Sequence, residues 1–300
     1  MRFVLLAALL ALPAAGQGVY TYRLRGEVRL LLFWTGKDDV GGGRVTVSPT
    51  EIEVLFGSKP ERIPGKINRW GYGRETAEWA DGSPPRLAAT EFLGIMRHSA
   101  ESSIDEAVSA TEKAAASGQY LYDTTLSKVL PDSAWHEIRV LAEPEDFDYR
   151  NPERLLGNLR KALASTPPLR RGQLTHQAEP YGFLTGLQEL IRRASERRAL
   201  HSLVFLYDST PYNLEIMDIQ PVPESKMLAE WRVARARDVI RIRFRSFNTV
   251  KRTRTDFELW IPTAGDLKGI PVRILLQPRW WLRLRMDFTS ATAIPEPGTK

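Results

Sequence analysis

The chain has 300 residues, of which 43% are hydrophobic, and it carries a formal net charge of +6 at pH 7. This length and composition allow one or two domains with a sizeable core. The complete absence of cysteine excludes disulfides, cysteine-based zinc sites, thiol nucleophiles and a lipid anchor on cysteine. A basic balance suits anionic partners, although a solvated surface with an excess of arginine explains it equally well.

The first sixteen residues have the pattern of a secretory signal peptide. Arg2 is a short positive region, residues 3–12 are apolar, and small residues at 13–16 suit cleavage before Gln17. The apolar run is too short to span a membrane. We therefore expect a bacterial protein that is periplasmic or secreted and has no transmembrane segment in its mature chain.

Strand patterns dominate the next forty residues, from Val19 to Phe56. Alternation around Tyr20 predicts a half-buried strand, and the apolar run Val28–Trp34 predicts a more buried one. Residues 36–43 read Gly-Lys-Asp-Asp-Val-Gly-Gly-Gly, and two interpretations are open. Glycines and Lys37 could cradle a phosphate, but the P-loop spacing is missing. A hairpin loop with glycines at positive φ is the favoured interpretation.

The middle of the chain has helical signals. Ser103–Glu106 fits a capping box that opens a first helix ending near Gly118. Asn151 and Pro152 suit the start of a second helix, whose core face would carry leucines up to Leu163. A third helix is predicted over Gly182–Leu200, with arginines gathered near its C-terminus.

The chain returns to strands from Leu203 to Thr289. In residues 239–247 and 281–288, arginines alternate with apolar residues, which places the two types on opposite faces of a strand. Arginine forks beside tryptophans suit lipid headgroups or acidic glycans. The predicted ligand-binding residues are Trp34, Arg241, Arg243, Arg245, Trp260, Trp280, Trp281, Arg283 and Arg285. Alternatively, these arginines pair with acids across the sheet and protect its edge.

Motifs for catalysis or metal binding are missing from the sequence. The acidic loop Glu143–Asp148 departs from the spacing of a calcium loop. His98, His136, His176 and His201 are not in metal-ligand spacing, and no serine lies in a nucleophile elbow. We predict no cofactor, no metal and no catalytic residue, and the balance favours a protein that is not an enzyme.

Several short segments resemble an exported bacterial family, the domain of unknown function numbered 3108. The similar segments are Gly182–Ile191, Phe205–Asp208, Tyr212–Glu215, Asp256–Ile261 and Gly269–Ile274, within a stretch from Tyr181 to Phe288. The resemblance implies a curved antiparallel sheet, partly closed into a barrel, in the cell envelope. It implies no known reaction and supplies no catalytic residues.

The predicted fold class is α+β and β-rich, with a curved antiparallel sheet or partly open β-barrel and a helical middle segment. Residues 1–16 are the signal peptide and residues 17–290 a single β-rich domain. The parts of that domain are N-terminal strands over 17–90, a helical insertion over 91–200 and C-terminal strands over 201–290. Residues 291–300 are predicted to be a disordered tail, and two separate β domains are the alternative.

Three functions remain open for an envelope protein of this kind. The first is non-enzymatic binding or carrying of a lipid or other amphiphile by a concave apolar face with arginine at its rim. The second is docking on an envelope protein or acidic glycan through the arginine-rich face. The third, less favoured, is a hydrolase with a dispersed site. Export argues against nucleic acid as a partner.

Overall fold

The computed structural model describes residues 17–30, 33–62, 70–78, 86–95, 122–129, 134–142, 157, 161, 164–165, 170–173, 181–196, 201–207, 210–223, 237–248, 250 and 252–293. Within these residues the chain is mostly β-strand. The first eight strands are β1 Gly18–Leu30, β2 Phe33–Val47, β3 Glu51–Ser58, β4 Trp70–Glu78, β5 Arg86–Ile95, β6 Tyr122–Val129, β7 Ala134–Ala142 and β8 Arg170–Gln173. The others are β9 Tyr181–Gly182, β10 Ser202–Tyr207, β11 Thr210–Pro221, β12 Arg237–Asn248, β13 Thr253–Ala264, β14 Arg273–Arg279 and β15 Leu282–Thr292. A short 3-10 helix covers Pro60–Arg62, and the α-helix α1 covers Phe183–Ser195.

All fifteen strands belong to one sheet, in the order β8-β7-β6-β5-β4-β3-β2-β1-β15-β14-β13-β12-β11-β10-β9. The pairing is antiparallel except between β9 and β10. Strand β1 pairs with β15, so the two ends of the described chain lie side by side. Because β5 and β9 also contact each other, the twelve strands from β9 round to β5 form a nearly closed barrel. This confirms the predicted fold class.

The core lies on the inner face of the barrel, around α1. Along β1 the buried Tyr20, Tyr22 and Leu24 alternate with Thr21 and Arg23, as the period of a strand requires. Helix α1 is buried on nearly every side, which is typical of a helix enclosed by its protein. The face of the sheet away from α1 is called the outer face below.

Aromatic rings fix α1 against the sheet. Phe183, at the start of α1, meets the ring of Phe205 edge-on at 5.1 Å and lies 6.1 Å from that of Phe257. Phe257 stacks on Phe244 of the next strand at 5.2 Å. Phe244 is fully buried in this cluster. The interior next to α1 is therefore filled by protein.

Two predictions for the N-terminal strands are wrong. The run Val28–Trp34 is not one buried strand, because β1 ends at Leu30 and β2 begins at Phe33, and Val28 and Phe33 are exposed. Residues 36–43 are not a hairpin loop but lie within β2. The glycines serve close strand packing there: a methyl group on Gly41 would overlap the carbonyl oxygen of Gly57 on β3.

The predicted helical insertion over residues 91–200 is also wrong in part, since β6, β7 and β8 lie within it. The capping box at Ser103–Glu106 and the acidic loop Glu143–Asp148 lie outside the described residues. Residues 157, 161 and 164–165 are helical, as predicted for the second helix. The third helix begins where predicted but ends at Ser195. The tail was predicted from residue 291, yet β15 continues to Thr292; residues 294–300 are outside the described part.

Candidate functional site

The arginines predicted as ligand-binding residues share the outer face of the sheet. Strand β12 carries Arg241, Arg243 and Arg245, and β15 carries Arg283 and Arg285. Two strands, β13 and β14, separate them, which corresponds to about 14 Å. The two arginine-bearing strands therefore contribute to one surface, although they are not neighbours.

Carboxylates and an amide occupy the positions beside the β12 arginines. Arg245 binds both oxygens of Asp256 on β13 at 2.8 and 2.9 Å. The hydrogen bond from Arg245 is the main cause that holds the pKa of Asp256 below its ordinary value. Arg241 donates to Gln220 at 2.7 Å and lies 3.9 Å from Glu258. Cross-strand pairing, the alternative interpretation of these arginines, is what the structure shows here.

The β15 arginines are paired in the same way. Arg283 and Arg285 lie 3.5 and 3.7 Å from the buried carboxylate of Glu27 on β1. Arg285 also donates to Asp287 at 2.9 Å. The outer face is thus a lattice of alternating charges and not an uncompensated field of guanidinium groups.

The four predicted tryptophans fall into two groups. Trp34 lies under the guanidinium of Arg283, 4.3 Å from ring centre to Cζ, and Trp260 is 5.2 Å from Arg273 in the same arrangement. These cation–π contacts fix the two rings on the outer face. Trp280 and Trp281 form the turn between β14 and β15. The carbonyl of Trp281 accepts a hydrogen bond from the amide of Arg29 at 2.8 Å, which brings this turn next to β1.

An exposed apolar surface lies at this end of the barrel. We call it the apolar rim and define it by Val28, Phe33, Trp280 and Leu282. Val28 on β1 pairs with Leu282 on β15. By the alternation of each strand, both side chains are on the same face of the sheet as the buried Leu24, but they lie beyond the end of the core. Val28, Phe33 and Trp280 are 38%, 60% and 70% exposed. Three of the five large exposed apolar side chains of the described chain therefore gather in one place.

Positively charged residues lie on the strands that form the apolar rim. Arg29 and Lys37 are exposed. Arg29 lies on β1 with Val28, and Lys37 lies on β2 with Phe33. Arg283 lies on β15, the third strand at this end, next to Leu282. Apolar side chains with cations beside them are the combination that recognises an anionic amphiphile.

A fully buried carboxylate, Glu75, joins strand β4 to helix α1. Its oxygens accept hydrogen bonds from the amides of Leu184 and Thr185 at 2.9 and 2.8 Å, and from the Thr185 hydroxyl at 3.0 Å. Glu75 thus caps the free N–H groups of the first helical turn and meets the positive end of the helix dipole. Sequence reasoning missed this residue. The available signal was a helix that begins at Gly182, which has no capping side chain of its own.

Burial raises the pKa of Glu75 from its ordinary 4.5 to about 7, although the hydrogen bonds from α1 oppose the shift. Between pH 4.5 and pH 7 the folded chain holds a proton on Glu75 that the unfolded chain has lost. The contribution of Glu75 to the free energy of unfolding is therefore largest below pH 4.5, and it decreases by about 3 kcal/mol as the pH rises to 7.

We predict that Glu75→Gln removes this pH dependence, because the amide does not titrate. Urea unfolding of both proteins from pH 5 to pH 8 measures the difference in unfolding free energy. The difference should move in favour of the variant as the pH rises. A difference that stays constant over this range would contradict the assignment.

The residues that the structure describes contain no group of three or more histidine, aspartate or glutamate side chains placed to hold a metal ion. They also contain no helix that is both long and apolar enough to cross a bilayer. His98 and His176 lie outside the described residues, so the predicted hydrolase stays untested.

A scan against models of protein families finds no match to the chain. A search of curated proteins likewise finds no match. Among solved structures, the chain is similar to a crystal structure from Brucella abortus, a β-barrel-like protein of domain of unknown function DUF1849. The two are 10% identical with a TM-score of 0.46, and the match covers 94% of this chain and 99% of that one. A likeness this weak carries no argument about function.

Proposed function

We propose that this chain is an exported, non-enzymatic binding module of the bacterial cell envelope that binds an anionic lipid or similar amphiphile at the apolar rim. The observation that carries the proposal is the exposure of Val28 on β1, Phe33 on β2 and Trp280 in the turn before β15, at the same end of the barrel. The signal-peptide pattern of residues 1–16 supports export. Resemblance to the domain of unknown function 3108 family is consistent with an envelope location and remains a prediction.

In this proposal the acyl chain binds at the apolar rim and not in the barrel interior. Helix α1 and its aromatic neighbours fill the core next to it, so a ligand enclosed there would have to displace Phe183 or Phe205. At the rim no such displacement is needed, because the apolar side chains already face water. Covering them with an acyl chain removes apolar surface from water, and the exposed Arg29 and Lys37 attract the headgroup.

Docking through the arginine-rich outer face has weaker support. Arg241, Arg245, Arg283 and Arg285 already pair with neighbouring groups of the sheet. A partner would have to compete with those contacts.

A lipid titration tests the proposal. The mature chain from Gln17 is stripped with organic solvent or detergent, and lysophosphatidylglycerol is then added below its micelle concentration. We expect a stoichiometric complex by native mass spectrometry. Phe33→Ser and Trp280→Ser should each weaken it about tenfold, because each removes an aromatic side chain from the contact.

The matched control is Val250→Ser. Val250 is 72% exposed, like the rim residues, but lies at the connection between β12 and β13. It should leave the affinity unchanged. The proposal is wrong if the wild-type protein forms no complex, or if Val250→Ser weakens binding as much as the rim variants do.

A further inference from the structure

An open depression lies on the outer face where β15, β1 and β2 run side by side, about 17 Å along β1 from the apolar rim. Its volume is about 360 Å³, within the range of sites for small ligands. The side chains that matter for its chemistry are Thr21, Arg23, Asp39, Arg44 and Thr289.

Glycine explains why the depression is open. The residue opposite Arg23 on β2 is Gly42, in the Gly41–Gly43 run that the sequence suggested as a possible phosphate cradle. Because Gly42 has no side chain, β2 places no group directly opposite the guanidinium. Asp39 of the same strand interacts with Arg23 through its charge but makes no ion pair with it. On the same strand Arg44 is next along the outer face, opposite Thr21.

The carboxylate opposite Arg23 on the other side is already used. Asp287 on β15 pairs with Arg23 in register, but its oxygens accept hydrogen bonds from Arg273 at 2.7 Å and from Arg285 at 2.9 Å. Arg23 is exposed and makes no ion pair with the residues that the structure describes. The positions beside Arg23 on β2 and β15 therefore offer it no unpaired carboxylate.

The remaining groups suit a hydroxylated ligand. The Thr289 hydroxyl donates to the Thr21 carbonyl at 3.0 Å and lies 2.9 Å from the Thr21 hydroxyl, and both hydroxyl oxygens can accept a hydrogen bond from a ligand. Arg44, which lies 3.5 Å from Glu53, adds a second positive charge to the lining of the depression. The one carboxylate in the depression, Asp39, is held by Lys59 at 2.6 Å, so its charge is compensated within the protein.

We infer that this depression binds an oxyanion, a carboxylate or a phosphate, carried on a small hydroxylated ligand such as a sugar acid or a sugar phosphate. The guanidinium of Arg23 binds two oxygens of the anion at once, with Arg44 beside it. The threonine hydroxyls accept hydrogen bonds from the hydroxyl groups of the ligand. The site is independent of the proposed function, because it shares no residue with the apolar rim.

The test is isothermal titration of the mature chain with glucuronate, glucose 6-phosphate and glucose. We expect saturable binding of at least one of the two anions with a Kd of about 1 mM or tighter, and none of neutral glucose. Binding of glucuronate alone would identify a carboxylate site, and binding of glucose 6-phosphate alone a phosphate site. Arg23→Gln should weaken binding at least tenfold, and a thermal melt should show that it is folded.

Arg243→Gln is the matched control. It removes the same charge from an exposed outer-face arginine on β12, well away from the depression. Its affinity should equal that of the wild-type protein. If Arg23→Gln and Arg243→Gln weaken binding equally, the loss comes from the change in net charge and the inferred site is wrong. The inference is also wrong if neither anion shows saturable binding. The rim variants Phe33→Ser and Trp280→Ser should bind the sugar ligand normally, which separates this test from that of lipid binding.

Discussion

Replacing Glu75 with alanine should lower the free energy of unfolding by about 3 kcal/mol. The substitution leaves the amides of Leu184 and Thr185 without an acceptor at a site that water does not reach. Each buried donor left unpaired costs about 1–3 kcal/mol, and part of this is offset because a polar carboxyl group no longer has to be buried. The effect is large because one side chain satisfies the first turn of the helix around which the core is packed.

Urea unfolding at pH 6, followed by circular dichroism, measures this change. Glu78→Ala is the matched control, since Glu78 lies on the same strand but is exposed, and it should change stability by less than about 0.5 kcal/mol. Hydrogen exchange gives a second measurement: the amides of Leu184 and Thr185 should lose protection first in Glu75→Ala. An unfolding free energy within 0.5 kcal/mol of the wild-type value would show that the cap contributes little.

The parts of the fold that the sequence predicts are those set by local patterns. Alternation of Arg241, Arg243 and Arg245 with apolar residues places β12 correctly and puts the arginines on the solvent side. The start of α1 after Gly182 also follows from its own apolar spacing. In both cases the period of the side chains and the face that they bury are properties of a short segment.

Errors arise where the local pattern conflicts with the tertiary arrangement. Strand β1 ends at Leu30 and β2 begins at Phe33 within one apolar run, and no glycine, proline or asparagine marks this boundary in the sequence. Residues 41–43 carry three such turn markers but lie inside a strand, because β2 and β3 approach closely there. In β6 and β7 the alternation is short and weakly apolar, so pairing within the sheet, and not amphipathicity, sets these strands.

Contacts between distant segments are outside the reach of sequence periodicity. Glu75 and the start of α1 are more than a hundred residues apart, and the paired charges of Glu27 with Arg283 are still further apart. The sequence allowed the arginines to pair with acids across the sheet, but it did not identify the acids that lie opposite them. The registers of β12 with β11 and β13, and of β1 with β15, supply those acids, and Arg23 makes no ion pair with the described residues.

Replacing Gly182 with alanine should destabilise the protein by about as much as Glu75→Ala, and the two costs should not add. The backbone of Gly182 is extended, with φ −78° and ψ 178°, so alanine adopts it without strain. A methyl group there would instead overlap the Glu75 carboxylate and push it away from Leu184 and Thr185. In the Glu75→Ala protein the carboxylate is gone, and the methyl group occupies part of the space that it leaves.

We therefore expect Gly182→Ala to cost about 3 kcal/mol in the wild-type chain and less than about 1 kcal/mol in the Glu75→Ala chain, a coupling of about 2 kcal/mol. Gly186→Ala provides the control cycle. It adds a methyl group to the same helix, but that group would meet the side chain of Leu203 and not Glu75. Its effect should be the same in both backgrounds. If Gly182→Ala behaves like Gly186→Ala, with additive costs, then Gly182 is required for some reason other than the approach of Glu75. If the coupling appears only at Gly182, one carboxylate and one missing side chain together fix how α1 enters the barrel.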